Sequence, residues 1–492
     1  MKGISPERLR LYTFLSTFCW DDYYFPMDGP FQNYTYFPKA PLSEVKDCWK
    51  TTLRLIREGR APKEVGVYVH WPFCLSRCSY CFCSMRVPNS AAETARYAAA
   101  LESELRALSP LFERTSVGSL WLGGGTPTFM SADELDRLLS RLRASFALEP
   151  GAQVYVEASP ATLSPAKVEV LLKHGVNRVT LGLQSLDGSV TAATGRRLQT
   201  REAAERAFEL VAGRGMLVDL DLMMGLEGQS KLSFLKDLAW VLRRRPDVLH
   251  LFAFDPRPQT LFSIRGKKQT GRTRGELRVL MELADRAVRA GGYRVSRLDP
   301  ETLAPDCPEE RQDSAARRLG ASVLGLGASA VSHAFGSARY CHPLAGSSPA
   351  AAAGSYRLMR TGLGEEMRGF ALRHLSLFGR LDERAFAALF GRSPLEVPGL
   401  GRALAELGEH GVLRRDKREL VYSGRDPVER CVVLKHLYSP RAAAALLQGR
   451  EAVFRRFSFR PGGPWPEEVT DKIEGRNLFR VYFSQRVGSP TA

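Results

Sequence analysis

Val65-Gly66-Val67-Tyr68-Val69-His70-Trp71-Pro72-Phe73-Cys74-Leu75-Ser76-Arg77-Cys78-Ser79-Tyr80-Cys81 is the stretch on which the reading of this chain turns. Its first part is a short apolar, β-branched run that predicts a strand over 66–71. Its second part is a CxxxCxxC loop directly after that strand. The rhythm that starts at residue 65 then repeats, with strand candidates at 119–123, 153–158, 178–183, 217–223 and 248–254. Most are followed by an amphipathic stretch, such as 131–146 or 201–214, with apolar residues at i, i+3 and i+4. Strand–helix alternation builds a parallel sheet, because parallel neighbours need a crossover. Six repeats predict an open or partial barrel rather than a sandwich.

Outside this core the chain changes character. Residues 1–60 carry aromatics, proline and turn formers and read as an irregular arm, then one helix over 42–58. The barrel is expected over 61–300. Residues 301–355, rich in Pro, Ala, Gly and Ser with one apolar glycine-containing piece at 324–331, read as a connecting segment closing the barrel mouth. Residues 356–450 are mainly helical in pattern, and 404–411, 412–415 and 419–422 read as a helix end and two short strands, a winged-helix-like outline. Residues 451–492 are a basic tail. The fold class is therefore α/β, with a mainly helical C-terminal domain.

At 492 residues the chain has room for two or three domains, and 44% apolar with 25% charged residues is ordinary for a soluble globular protein. No run reaches the ~18 apolar residues of a membrane span. Residues 1–10 lack the apolar centre of a secretion signal, so a cytoplasmic protein is expected. The net charge, 70 − 53 = +17, invites nucleic acid, a membrane surface or anionic small molecules. It is spread along the chain, however, as at Arg243-Arg244-Arg245 and Arg414-Arg415, and a solvated arginine-rich surface accounts for it. With the winged-helix outline it also raises a rival, a nucleic-acid-binding or scaffold protein that keeps a metal site. The histidines decide little. His70 lies beside the cysteine loop, and His333 and His342 near the glycine-rich piece, where each can pack or reach a ligand.

Four of the nine cysteines fall between Cys74 and Cys83, while Cys19, Cys48, Cys307, Cys341 and Cys431 are isolated. That distribution suits a reduced compartment and a metal site rather than a disulfide framework. Three closely spaced thiolates can meet one face of a metal cluster. A zinc site usually assembles two separated halves, and no second half appears in the sequence. Iron–sulfur clusters usually take four thiolates, so three leave one iron open to a small molecule. Structural zinc with Cys83 as fourth ligand, or an incidental cysteine-rich loop, are the alternatives.

The loop and its strand resemble the signature of radical S-adenosylmethionine enzymes, and within them the oxygen-independent coproporphyrinogen III oxidase group. Further landmarks of the group follow in order: Gly123-Gly124-Gly125-Thr126-Pro127-Thr128, Glu157 in Val156-Glu157-Ala158-Ser159-Pro160, and Gln184 in Gly182-Leu183-Gln184-Ser185. Asp221 in Asp219-Leu220-Asp221-Leu222, then Gly325-Leu326-Gly327-Ala328-Ser329-Ala330, complete the set, and Tyr34-Thr35-Tyr36 is similar to the group's amino-terminal segment. All but the last landmark within 65–331 lie near strand carboxyl ends, where parallel sheets collect ligand-binding loops.

The resemblance implies a partial (β/α)6 radical-SAM barrel and a [4Fe-4S] cluster on Cys74, Cys78 and Cys81, with Cys83 completing a CxC but not binding the cluster. It implies that Tyr68, Gly124 and Glu157 bind one S-adenosylmethionine. Tyr80, Gly125, Thr126, Gln184, Arg196 and Asp221 match the remaining S-adenosylmethionine contacts of a group in which a second molecule lies nearby. It implies release of a 5′-deoxyadenosyl radical and oxidative decarboxylation of coproporphyrinogen III-type propionates, by a monomer with a small anionic substrate. A reductant such as flavodoxin or ferredoxin is expected, without membrane or nucleic acid. The sequence departs from the group at Phe254-Asp255-Pro256, at Glu227 in Gly225-Leu226-Glu227-Gly228-Gln229, over 297–320 and beyond about residue 426. Those departures favour a specialised relative, for which C-methyl transfer or cyclopropane formation in a natural-product pathway is the alternative.

Overall fold

The computed structural model describes residues 4–17, 37–254, 256–257, 259–267, 274–296, 301–306, 319–346, 348–424, 426–448, 450–457, 459, 463–466 and 469. Six parallel strands in sequential order form its centre: β1 (Val65–Trp71), β2 (Val117–Gly124), β3 (Leu148–Ala158), β4 (Arg178–Gln184), β5 (Leu217–Met224) and β6 (Val248–Ala253). Each leads into a helix on the outside, namely Ala91–Leu108, Ala132–Ser145, Pro165–Lys173, Arg201–Val211, Lys231–Arg244 and Arg274–Ala290. This is the partial (β/α)6 barrel the alternation predicts.

The helices form where the sequence supplies both a start signal and an apolar stripe. In Ala132–Ser145, Ser131 and Glu134 close a capping box, and Leu135, Leu138, Leu139 and Leu142 are buried against the sheet. Burial of each such leucine contributes about 2 kcal/mol. The strands divide their residues by parity. Val65, Val67 and Val69, Leu120 and Leu122, Val179 and Leu181, and Leu220 and Leu222 face the helices and make the main core. The alternate residues line the barrel interior. That interior is aromatic and polar, with Tyr68, Trp121 and Tyr155 in a row of rings 4.7 and 5.5 Å apart.

The sheet continues past both ends of the barrel. β7 (Ser322–Leu326) pairs parallel with the free side of β1, and β8 (Val331–Ala334), β9 (Ala338–Cys341) and β10 (Tyr356–Arg360) follow antiparallel. Thr302–Ala304 and Arg294–Val295 extend the other edge beyond β6. The stretch expected to be a connection is thus mostly strand, and the boundary expected at 356 falls inside the sheet. Short Ala-, Ser- and Gly-containing strands give a weak β signal, and it is complete burial of β7, β8 and β9 that selects the conformation.

Helices Leu363–Phe378, Glu383–Phe390 and Leu400–Glu409 share a second core with an antiparallel sheet, in which Glu419–Tyr422 lies between Leu413–Asp416 and Arg380–Asp382. That is winged-helix-like, with Arg380–Asp382 a strand the sequence reading lacks. Where an irregular arm was expected, Pro6–Ser16 is a helix capped by Ser5, its Leu9 and Tyr12 packed with Val428 and Val432. Tyr34-Thr35-Tyr36, Asp255, most of 297–320 and the tail from 470 lie outside the described residues. No described helix is long and apolar enough to cross a membrane.

Candidate active site

The cysteine loop leaves the end of β1 and is tied at both ends before any cofactor is considered. The Cys74 N–H donates to the Arg86 carbonyl at 3.0 Å, and the Arg86 N–H donates to the Pro72 carbonyl at 2.7 Å. The Ser79 N–H donates to the Thr194 carbonyl at 2.9 Å. These bonds fold the segment over the carboxyl ends of the barrel strands. Cys74, Cys78, Cys81 and Cys83 are all free thiols and half-buried, and the isolated Cys48 and Cys341 are buried.

Each of the three spaced cysteines meets a different surrounding. Thr126 Oγ1 lies 3.3 Å from Cys74 Sγ, and Arg196 Nη1 donates to Cys78 Sγ at 3.9 Å. Burial pushes the Cys74 and Cys78 thiols up, whereas a hydrogen bond from Cys83 holds Cys81 below its usual range. Cys83 accordingly keeps its proton, its pKa raised first by that bond to Cys81 and then by burial. Among the described residues no three His, Cys, Asp or Glu side chains converge on a single ion position. A cubane cluster asks for something else, one thiolate per iron, and the donor set of the loop fits that.

The other residues singled out in the sequence fall on the same rim. Gly124 ends β2 with φ +111°, and a Cβ there would lie 2.7 Å from the His70 ring. A Cβ on Gly125 would lie 2.7 Å from the Pro72 backbone. Only glycine fits this close crossing of β2 past β1. The Gly124 N–H donates to Glu157 Oε2 at 3.1 Å and Trp121 Nε1 donates to Glu157 Oε1 at 3.1 Å, which aims the carboxylate along the rim. Tyr68 packs at a tilt beside Trp121, and its hydroxyl lies 2.8 Å from His70 Nδ1. Burial lowers the His70 pKa to about 4. The neutral ring then donates from Nε2 to the Ser84 carbonyl at 2.9 Å and accepts from Tyr68.

Opposite, Gln184 ends β4 at a register shift with φ +65°, and its buried Oε1 has no hydrogen-bond donor among the described residues. Asp221 Oδ2 lies 3.8 Å from where a Gly182 Cβ would stand. Arg196 is the buried cation of the site. It donates from Nη1 to Tyr80 OH at 3.1 Å and from Nη2 to the Gly182 carbonyl at 2.5 Å. Burial opposes its charge, but Tyr80 and Cys78 hold it protonated. Sequence reasoning missed Gln199, whose Oε1 accepts from Arg196 Nε at 3.0 Å and whose Nε2 reaches the Leu183 carbonyl. Its place one turn after Arg196 was the available signal.

His333 and His342 have both ring nitrogens taken up by other partners. Both are buried, with Nε2 2.9 Å from Glu366 and 2.5 Å from Glu104 respectively. They key β8 and the end of β9 to neighbouring helices. The cradle of glycines, the orphaned Gln184 oxygen and the thiol set together fit a [4Fe-4S] cluster with S-adenosylmethionine beside it.

Comparison with known proteins gives the same reading. A family described as the radical SAM superfamily matches residues 68–241. The oxygen-independent coproporphyrinogen III oxidase of Bradyrhizobium diazoefficiens is 31% identical over 313 residues, covering 61% of this chain and 69% of that protein. The Salmonella typhimurium protein of the same name is 31% identical over 245 residues, about half of either chain (49% and 51%). A heme chaperone, HemW, of Mycobacterium tuberculosis is 35% identical over 167 residues, 34% of this chain and 43% of its own. The solved Escherichia coli coproporphyrinogen III oxidase, described as a radical SAM enzyme, shares the fold with a TM-score of 0.63 at 21% identity, over 78% of this chain and 93% of that one. The protein is thus a radical SAM enzyme that uses a [4Fe-4S] cluster and S-adenosylmethionine, and it belongs to the oxygen-independent coproporphyrinogen III oxidase-like family.

Proposed function

We propose that the enzyme oxidatively decarboxylates propionate side chains of a porphyrinogen of the coproporphyrinogen III type. What supports this reading is the likeness to the Bradyrhizobium oxidase over 69% of its length, together with the contacts Cys74–Thr126, Gly124–Glu157 and Arg196–Gly182 at the carboxyl ends of the barrel strands. Cys74, Cys78 and Cys81 hold the cluster, and Cys83 does not. Tyr68, Gly124 and Glu157 hold one S-adenosylmethionine; Tyr80, Gly125, Thr126, Gln184, Arg196 and Asp221 line the position of a second. A [4Fe-4S] cluster held by these cysteines would supply the electron for reductive cleavage of S-adenosylmethionine, the chemistry from which a 5′-deoxyadenosyl radical would arise. The chain's own part is to bind, orient and keep the site dry. Glu157, fixed by two donors, accepts from hydroxyl or ammonium groups. The glycine run lets the ligand approach the backbone, and the free Gln184 oxygen accepts one further donor.

The test is an anaerobic incubation with coproporphyrinogen III, dithionite and S-adenosylmethionine, read by mass spectrometry. Loss of two carboxyls as carbon dioxide, with 5′-deoxyadenosine and no S-adenosylhomocysteine, is the expected result. An untouched porphyrinogen refutes it. S-adenosylhomocysteine formed with another substrate establishes methyl or methylene transfer instead. Because one similar protein is a heme chaperone, the same sample is tested for haem, and stoichiometric haem binding without turnover assigns that role.

A further inference from the structure

The turns that leave β2 and β3 lie side by side, and each follows closely on a residue of the rim. Thr126, whose hydroxyl meets Cys74, stands two residues before Thr128, and Glu157 stands two residues before Ser159. Thr128 Oγ1 lies 2.7 Å from Thr162 Oγ1, and the Ser159 N–H donates to Thr128 Oγ1 at 3.3 Å. The Ser159 hydroxyl also accepts from Arg196 Nη2 at 3.5 Å, so the third polar group of the rim is tied to the same junction. One side chain bridges the two turns from the next helix. Lys167 Nζ donates to the Thr128 carbonyl at 2.7 Å and to the Thr162 carbonyl at 2.8 Å, one bond to each turn.

Local rules do not ask for a lysine at this place. Lys167 is the third residue of helix Pro165–Lys173, whose start is capped by Ser164. A helix amino terminus carries partial positive charge, so a carboxylate is favoured in its first turn and a cation is not. The side chain is also half-buried, and burial lowers its pKa, with Glu134 as the opposing influence. Its two hydrogen bonds go to carbonyls rather than to a carboxylate. A residue that is unfavourable where it stands is explained by what it holds elsewhere, and here that is two backbone turns next to the ligand-binding rim.

We propose that Lys167 is a positioning residue for S-adenosylmethionine, fixing the spacing between the glycine-run turn and the Glu157 turn, an inference that rests on the rim residues assigned above. It acts through the two turns and takes no part in the chemistry. With the bridge in place, Thr126 and Glu157 stand ready before the ligand arrives. Without it, the turns have to be ordered by the ligand, and that ordering is taken from its affinity.

The test is equilibrium dialysis of labelled S-adenosylmethionine with anaerobic, cluster-loaded full-length protein, with melting measured on the same samples. Lys167→Met should weaken binding about tenfold, while the melting temperature moves by less than about 3 °C. Lys167→Gln, too short to bridge the turns, should reproduce the loss, and Lys167→Arg, which keeps charge and paired donors, should recover most of it. The control is Lys173→Met on the same helix, which removes an ammonium that meets Asp136 on the surface, and it should bind as the wild type does. On a Glu157→Gln background the further loss from Lys167→Met should shrink to less than about threefold, because groups that act together are not additive. Wild-type affinity in Lys167→Met and Lys167→Gln, an equal loss in the control, no recovery with arginine, or a full tenfold on the Glu157→Gln background overturns the proposal. Wild-type affinity in Glu157→Gln alone would instead overturn the assignment of Glu157, and Lys167→Met against Lys173→Met would still decide the part played by Lys167.

Discussion

Asp219 and Asp221 stand two residues apart on β5 and share a face of the strand, so the sequence alone cannot separate them. Asp219 is fully buried, accepts from Arg178 Nε at 2.7 Å and Thr180 Oγ1 at 3.0 Å, and lies 3.5 Å from His250 Nε2. Asp219→Ala leaves a buried guanidinium without its counter-charge, which costs about 3–5 kcal/mol. With about 2.1 cal/mol/K of unfolding entropy per residue over a barrel of roughly 300 residues, the melting temperature falls by roughly 5–8 °C. Asp221 is half-buried at the rim. Asp221→Ala should shift melting by less than about 2 °C, while S-adenosylmethionine binding weakens about tenfold to a hundredfold, the value of a lost charge-assisted hydrogen bond. Calorimetry and equilibrium dialysis of labelled S-adenosylmethionine on the same anaerobic samples separate the two. The double change Arg178→Met with Asp219→Leu should recover much of the lost stability, since neither charge is then buried alone. A wild-type melting temperature in Asp219→Ala, or an equal fall in both single variants, refutes the division of labour.

Changing Cys74, Cys78 or Cys81 to Ala should each abolish the brown absorbance and S-adenosylmethionine cleavage, whereas Cys83→Ala keeps both; a stable cluster in Cys78→Ala sinks the assignment. Gly124→Ala forces a Cβ within 2.7 Å of the His70 ring at φ +111°. It should cost about 1–3 kcal/mol in stability and weaken S-adenosylmethionine binding, as dialysis and melting would show. Burial alone would raise the Glu366 carboxyl, but His333 beside it, with Arg339 and Arg373, holds it down to about 2. Its folded pKa lies below the unfolded value, so it contributes stability above about pH 4.3 that is lost as pH falls toward 2, on the order of 3 kcal/mol. Denaturant titrations between those pH values should show a shallower loss in Glu366→Gln than in wild type.

The parts of this architecture with strong local signals were legible from the chain. Each barrel strand carries a short apolar run, and helices such as Ala132–Ser145 carry caps and leucine stripes that hardly depend on context. The cysteine loop, the glycine run and the strand-end polar residues were legible for a related reason, that each is a residue type the local structure alone does not ask for. What escaped was set by distant partners. β7, β8 and β9 are strands because they are buried, and Pro6–Ser16 joins the core through Leu15 beside residues some 360 positions away, such as Leu375. Arg178 looks like a surface arginine in sequence; its burial becomes intelligible only when β5 brings Asp219 alongside. His333 and His342 look like ligands near a glycine-rich turn until Glu366 and Glu104 take their ring nitrogens.

The parallel pairing of β1 with β7 has a consequence for how the protein is made. Val65 and Ser322 are partners across 322 − 65 = 257 residues. At 5–20 residues per second, a ribosome needs roughly 13–50 s between them. Throughout that interval the strand that leads into the cysteine loop has one side finished by β2 and the other a bare row of amide and carbonyl groups. Closing so long a loop is a late step, since its entropy must be lost before the pairing repays it. The Ser329 hydroxyl, which meets Ser84 just past the cysteines, comes into being only with that same late segment. Nascent chains stalled before Ser322 should therefore be held by chaperones at β1, whereas chains extended through Tyr356–Arg360 should be released.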